Sequence, residues 1–258
     1  MTEFPSSVTI FYIQFFYNYI RLFSELSGDY MKNLQSVTAV NPERITVPYS
    51  LKHCFIKSLC LFEGISLTDI QAERILNKDN SQMRAFSEDD ALIIRNAADS
   101  FDFLDSADIA GLNVDLCFYI KLNAILAREQ ALFTGNLRNG FCSIPCIGEI
   151  PVPAGQSIQR EIDRLNGISP ENYKTVVSAC FCNLARMQPF WDGNKRSTFF
   201  LCNIILIKNH LDLLALTEDV YADFEKYLTE FYTGKSNRII DFLADNCFVK
   251  NDNAQCFG

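Results

Sequence analysis

Histidine is almost missing from this chain. Among 258 residues there are two, His53 and His210, and a single Trp. Ten cysteines are present, but no two are spaced as Cys-x-x-Cys, so the pattern that builds a zinc site is absent. There is no run of basic residues either. Lys and Arg number 23 against 31 Asp and Glu, a formal net charge of -8. A chain of that sign without a basic patch is a poor ligand for DNA or RNA, so no nucleic-acid partner is expected. A small polyanion stays compatible, because it needs only a local pocket of donors. Long apolar runs are lacking as well. The aromatic stretch at residues 8–23 is interrupted by Gln14, Asn18 and Arg21 and falls short of the ~20 apolar residues of a membrane span. No membrane partner is expected; the stretch reads as an amphipathic helix packed on the domain, with a partner-binding helix as the alternative. The opening Met1-Thr2-Glu3 carries no positively charged segment and no small-residue cleavage site. The expected location is cytoplasmic, with reduced and mostly buried thiols.

What the chain does have is core material. Apolar residues make up 48%, and 22 residues are Phe, enough for one large domain or a core with a helical extension. Leu51, Cys54, Phe55, Ser58 and Phe62 fall at helical spacing over 50–63, with Gly64 as a stop. Ser66 or Thr68 then caps a helix running toward Leu76. After a polar break at 77–81, Ser87-Glu-Asp-Asp90 starts a helix that places acids in its first turn. Another helix is expected from Asn113 to about Leu132. Residues 135–155 differ in kind. Gly and Pro punctuate them, and Cys142, Ile144, Cys146, Ile150 and Val152 alternate, which predicts a short hairpin turning near Gly148. Pro170-Glu171 opens a helix to about Met187. An apolar helix follows over 195–209, and further helices over 218–232 and 236–247. The fold class expected is all-α with one short β-hairpin.

One polar loop stands between two apolar helices: Gln188-Pro189-Phe190-Trp191-Asp192-Gly193-Asn194-Lys195-Arg196. The second helix begins inside it. A helix start leaves backbone N–H groups without partners and carries the positive end of the macrodipole. Gly193 permits close approach of a ligand, and Lys195 and Arg196 add positive charge. Together these make an anion site suited to phosphate. Asp192 is a hard oxygen ligand that could hold Mg²⁺ against the same phosphates. Phe190 and Trp191 flank the loop, and at least one should anchor it. Asp-Gly-Asn is also a common turn, and Lys-Arg at a helix start also suits a solvated surface.

The segment resembles the motif of the Fic (Fido) family, His-Pro-Phe-x-(Asp/Glu)-Gly-Asn-(Gly/Lys)-Arg, with Gln188 in place of the His. Gly135-Asn-Leu-Arg138, the hairpin and Pro151-Val-Pro153 resemble the family's flap, which pins a target peptide. Phe62-Glu63-Gly64, with 66–68 after it, resembles its inhibitory helix and the next helix start. Residues 221–231 and 239–243 resemble the closing helices. The resemblance implies a Fic-type helical bundle over 50–247, an N-terminal helical extension over 1–49 and a tail over 248–258. It further implies ATP and Mg²⁺ as ligands, AMP transfer to protein hydroxyls, and a protein target docked on the 141–153 flap. Asp192 would hold the metal, Gly193 and Asn194 would give donors to the phosphates beside Lys195, and Arg196 would neutralise developing charge.

Three positions depart from the family's features, and a fourth, Lys195, takes the alternative that most AMP transferases do not. Gln188 stands where the family's base is, and an amide can orient a hydroxyl but cannot take its proton. Phe199 stands where inhibitable members have a second Arg, which leaves Glu63 without an obvious ion-pair partner. Leu59 stands where the inhibitory motif begins with Ser or Thr. Lys195 resembles the branch that transfers a γ-phosphate. The readings are an adenylyltransferase-like enzyme with reduced or altered activity, a catalytically inactive nucleotide-binding regulator of a protein partner, or a remnant that binds nothing. His53 and His210 are read as structural.

Overall fold

A computed structural model describes residues 47, 49–144 and 147–251. The aromatic stretch at 8–23 lies outside them. The described residues form nine α-helices: α1 (Tyr49–Leu61), α2 (Asp69–Leu76), α3 (Glu88–Ser106), α4 (Leu116–Leu126), α5 (Gly155–Asn166), α6 (Tyr173–Met187), α7 (Asn194–Lys208), α8 (Glu218–Tyr232) and α9 (Arg238–Asn246). A 3₁₀ turn, Asn80–Ala85, joins α2 to α3. Two small antiparallel pairs complete the fold: β1 (Cys142–Ile144) with β2 (Gly148–Ile150), and β3 (Leu213–Leu214) with β4 (Phe248–Val249). This is the expected all-α architecture with its hairpin; the second pair, across the start of the stretch read as a tail, gave no sequence signal at two residues a side.

The central element is α7. Asn194 and every residue from Arg196 to Ile207 are buried, as expected of a helix that is apolar on all sides. It packs on α4 and α6, while α9 lies on α6 and α8, and α5 closes against α6. The helix starts are set locally. Thr68 and Gln71 form a reciprocal capping box. Ser87 accepts from the Asp90 amide at 3.1 Å, and Asp115 from that of Phe118 at 2.8 Å.

Two helices depart from expectation. α5 is a helix that the sequence reading does not place, although Ile158, Ile162 and Leu165 lie on one helical face and are fully buried. α4 ends at Leu126 rather than near Leu132, which is 95% exposed. The reason is tertiary. The Leu126 carbonyl accepts from Arg196, the Arg128 carbonyl accepts from the Asn96 side chain, and Glu129 turns to φ 64°. The last carbonyl of α4 and one just past it are held from outside, and the chain turns left-handed at Glu129, so the helix stops.

Candidate functional site

The 188–196 loop connects the C-terminus of α6 to the N-terminus of α7 and is folded by buried side chains. Gln188 ends α6 in the left-handed region (φ 47°, ψ 62°). Phe190 is 1% exposed and meets Tyr119 edge-on, with centroids 4.8 Å apart. It is the expected aromatic anchor, whereas Trp191 stays partly exposed. The Asn194 side chain works inside the loop. Its Oδ1 accepts from the Phe190 amide at 2.8 Å, and its Nδ2 donates to the Phe190 carbonyl and to Gln188 Oε1, both at 2.9 Å. Gln188 Nε2 in turn donates to the Ala185 carbonyl at 2.7 Å. The Gln188 amide is therefore bonded at both ends.

Gly193 caps α7 at φ 69°. A Cβ there would sit 2.7 Å from that of Ala127, so both dihedral and space require glycine. Its amide donates to Asp192 Oδ1. Among the described residues, the amides of Asn194, Lys195 and Arg196 have no acceptor; the helical ladder resumes with Ser197 N–H to the Gly193 carbonyl at 2.9 Å. Three adjacent donors at the positive end of a 15-residue helix are what an anion site requires. Asp192 stands beside them with its side chain 43% exposed. The described residues contain no cluster of three or more His, Cys, Asp or Glu able to hold an ion. Asp192 offers a single partly exposed carboxylate, whose Oδ1 already accepts from the Gly193 amide and from Arg196.

Both cations of the motif face the end of α1. The Arg196 side chain is 1% exposed. Its Nε donates to Glu63 Oε1 at 2.9 Å, its Nη1 to the Leu126 carbonyl at 2.5 Å and Gln130 Oε1 at 2.8 Å, and its Nη2 to Asp192 Oδ1 at 3.2 Å. Lys195 Nζ donates to the Phe62 carbonyl at 2.6 Å and lies 3.8 Å from Glu225. Glu63 thus has an ion-pair partner after all, and it is the motif's own Arg. Phe199 packs edge-on against Phe62 at 5.2 Å and Phe55 at 5.6 Å. The aromatic cluster pins the residue next to Glu63, so the carboxylate is delivered to Arg196 by packing.

Two residues that sequence reasoning did not assign complete the site. Asn123, on α4, donates to the Asp192 carbonyl at 2.8 Å and to Ser197 Oγ at 3.1 Å, and accepts from the Gly135 amide at 3.0 Å. A lone amide in the apolar run Leu116–Leu126 was the signal for it. Arg138, which the sequence places only in the segment that resembles a flap, is buried at the hairpin's root. The histidines stand apart from the motif in the fold. His53 Nε2 is 2.9 Å from the Asp69 carbonyl. His210 follows the far end of α7, roughly 22 Å along the axis by helical rise.

No protein-family model matches the chain, and no curated protein matches it. Solved structures do. A fragment of Fic-1 from C. elegans, its residues 134–508, aligns over 88% of this chain and 72% of its own length at 15% identity and TM-score 0.55. A single-residue variant of that fragment aligns over 92% and 74% at 15% identity and TM-score 0.60. A Fic family protein from Desulfovibrio desulfuricans G20 aligns over 95% and 72% at 16% identity and TM-score 0.55. The fold is that of Fic proteins. No helix among the described residues is long and apolar enough to cross a membrane.

Proposed function

We propose that this protein binds ATP with Mg²⁺ at the start of α7, and that any transfer of AMP or of a phosphoryl group to protein hydroxyls is weak. The observation that carries the reading is the row of unpartnered amides at Asn194, Lys195 and Arg196, next to an exposed carboxylate at Asp192. The amides and the α7 dipole would take the phosphates, and Asp192 would hold the metal, which draws negative charge off the phosphate oxygens. Arg196 would neutralise charge on the group being transferred once Glu63 gives it up. Glu63 is therefore read as an internal competitor for the nucleotide. A groove of about 450 Å³ beside the flap, with Ile147, Ile150, Val152 and Met187 in its walls, fits the side chains of an extended target.

One observation favours the reading as a non-catalytic regulator. Gln188 has no titrating atom to offer an attacking hydroxyl, and both ends of its amide are already engaged within the loop, toward Ala185 and Asn194. Lack of a general base lowers rate by about 10² to 10⁴.

Titration calorimetry with ATP and Mg²⁺ tests the binding. The expected result is binding by the native chain that tightens about ten-fold in Glu63→Gln, the effect of removing roughly 1.4 kcal/mol of competing ion pair. Absence of heat in both proteins would overturn the reading. A labelled-ATP transfer assay on cell lysate, with Gln188→His in parallel, separates transferase from regulator. Signal only in the variant supports the regulator, and comparable signal in both supports an enzyme that works without the His.

A further inference from the structure

The guanidinium of Arg138 has no carboxylate partner among the described residues. It is 2% exposed, and a buried cation must be compensated. Compensation comes from five backbone carbonyls. Nε donates to Gln188, Nη1 to Gly140 at 2.7 Å and Ile150 at 3.2 Å, and Nη2 to Pro151 at 2.5 Å and Met187 at 3.2 Å. Arg carries five N–H donors in a fixed planar fork, so every donor has its own acceptor. The acceptors fall in two groups. Gly140, Ile150 and Pro151 are the entry and exit of the β1–β2 flap. Met187 and Gln188 are the C-terminal end of α6, where the helix dipole is negative and where position 188 is held left-handed. The backbone amide of Arg138 adds a bond to the Pro189 carbonyl at 2.9 Å.

We propose that Arg138 is a positioning residue that makes the flap and position 188 one mechanical unit, so that a chain docked on the flap keeps a fixed register to the side chain at 188. Among the described residues, the fork alone makes hydrogen bonds to both flap stems and to the loop. Lysine keeps the charge but has three donors, and its point-charge geometry cannot span five carbonyls. The inference goes beyond nucleotide binding, and its test uses no nucleotide, so each can fail alone.

Native-state hydrogen exchange on the full chain tests it. In the native protein, the protected amides of β1 and β2, the Arg138 amide and the Gln188 side-chain amide should open together, with one shared dependence on added denaturant. Separate openings overturn the proposal, and this measurement needs no variant to fold. In R138K, flap amides should exchange at least ten-fold faster while the buried amides of α7 keep their protection. A folded R138K whose flap exchange stays within two-fold of native also overturns it. Glu149→Pro, which breaks the flap ladder, supplies the readout that a merely structural Arg would not move. It should speed exchange of the Gln188 side-chain amide in the native background and lose that effect in R138K. Persistence of the effect in R138K counts against the coupling.

Discussion

Two regions of this molecule pair charges in opposite ways. On α3, the carboxylates of Asp99, Asp102 and Asp105 stand one turn apart, and each takes a cation from a different element: Arg128, Lys78 and Lys52. The Asp side chains of these pairs are 39%, 57% and 54% exposed. At the α7 start, by contrast, one guanidinium at 1% exposure gathers two carboxylates, a carbonyl and an amide oxygen. Water reaches both partners of each pair in the first region, whereas in the second it is kept from the guanidinium itself. The lesson is that ion pairing on α3 adds little beyond solubility and local docking, while pairing around Arg196 is a structural commitment that a ligand would have to break.

The largest effect that sharpens this contrast needs no mutation. Burial pushes the thiols of Cys60, Cys180 and Cys247 from an ordinary 9.0 up to about 12. Their folded state favours the proton, so the stability they allow is full below pH 9 and is lost as pH climbs from 9 toward 12. A stability profile by circular dichroism should fall across that window, and exposed Cys117 should be alkylated at neutral pH well before the buried thiols. Next comes Arg196→Ala, which strands Glu63 and the Leu126 carbonyl; a loss of about 3–5 kcal/mol is expected in denaturant unfolding. Gly193→Ala should cost about 2–4 kcal/mol from positive φ and overpacking against Ala127, read by the shift in Tm. The smallest effect belongs to α3. Asp102→Asn should change stability by less than about 0.5 kcal/mol, and less still in high salt. A loss at Asp102 equal to that at Arg196 would erase the distinction between the regions.

Much of the fold was legible because its signals are local. Thr68 and Ser87 marked helix starts, Gly64 a stop, and alternation marked the flap; Pro170 lies in the turn before its helix, which opens at Tyr173 rather than at Pro170-Glu171. The α5 helix was equally written, at Ile158, Ile162 and Leu165, but its polar composition and the Gly/Pro run before it masked the period. The end of α4 was not legible, because carbonyls captured from elsewhere terminate it. The same divide runs through the candidate site. Residues 188–196 announced a helix start with donors and a carboxylate. Their neighbours Asn123 and Arg138 were visible only as an amide in an apolar helix and a cation in a glycine-rich loop.

By itself the sequence determined the helical class, the position of the flap and the nine-residue loop with its glycine, carboxylate and cations, because capping, periodicity and turn chemistry act over a few residues. The tertiary structure alone decided what those cations hold. Glu63 reaches Arg196 across 133 residues of chain because Phe62 is locked among Phe199, Phe181 and Phe224. Lys195 turns to the Phe62 carbonyl, and Arg138 gathers five carbonyls from two separate segments. A buried charge takes whichever partners packing brings within reach, and no local pattern specifies them.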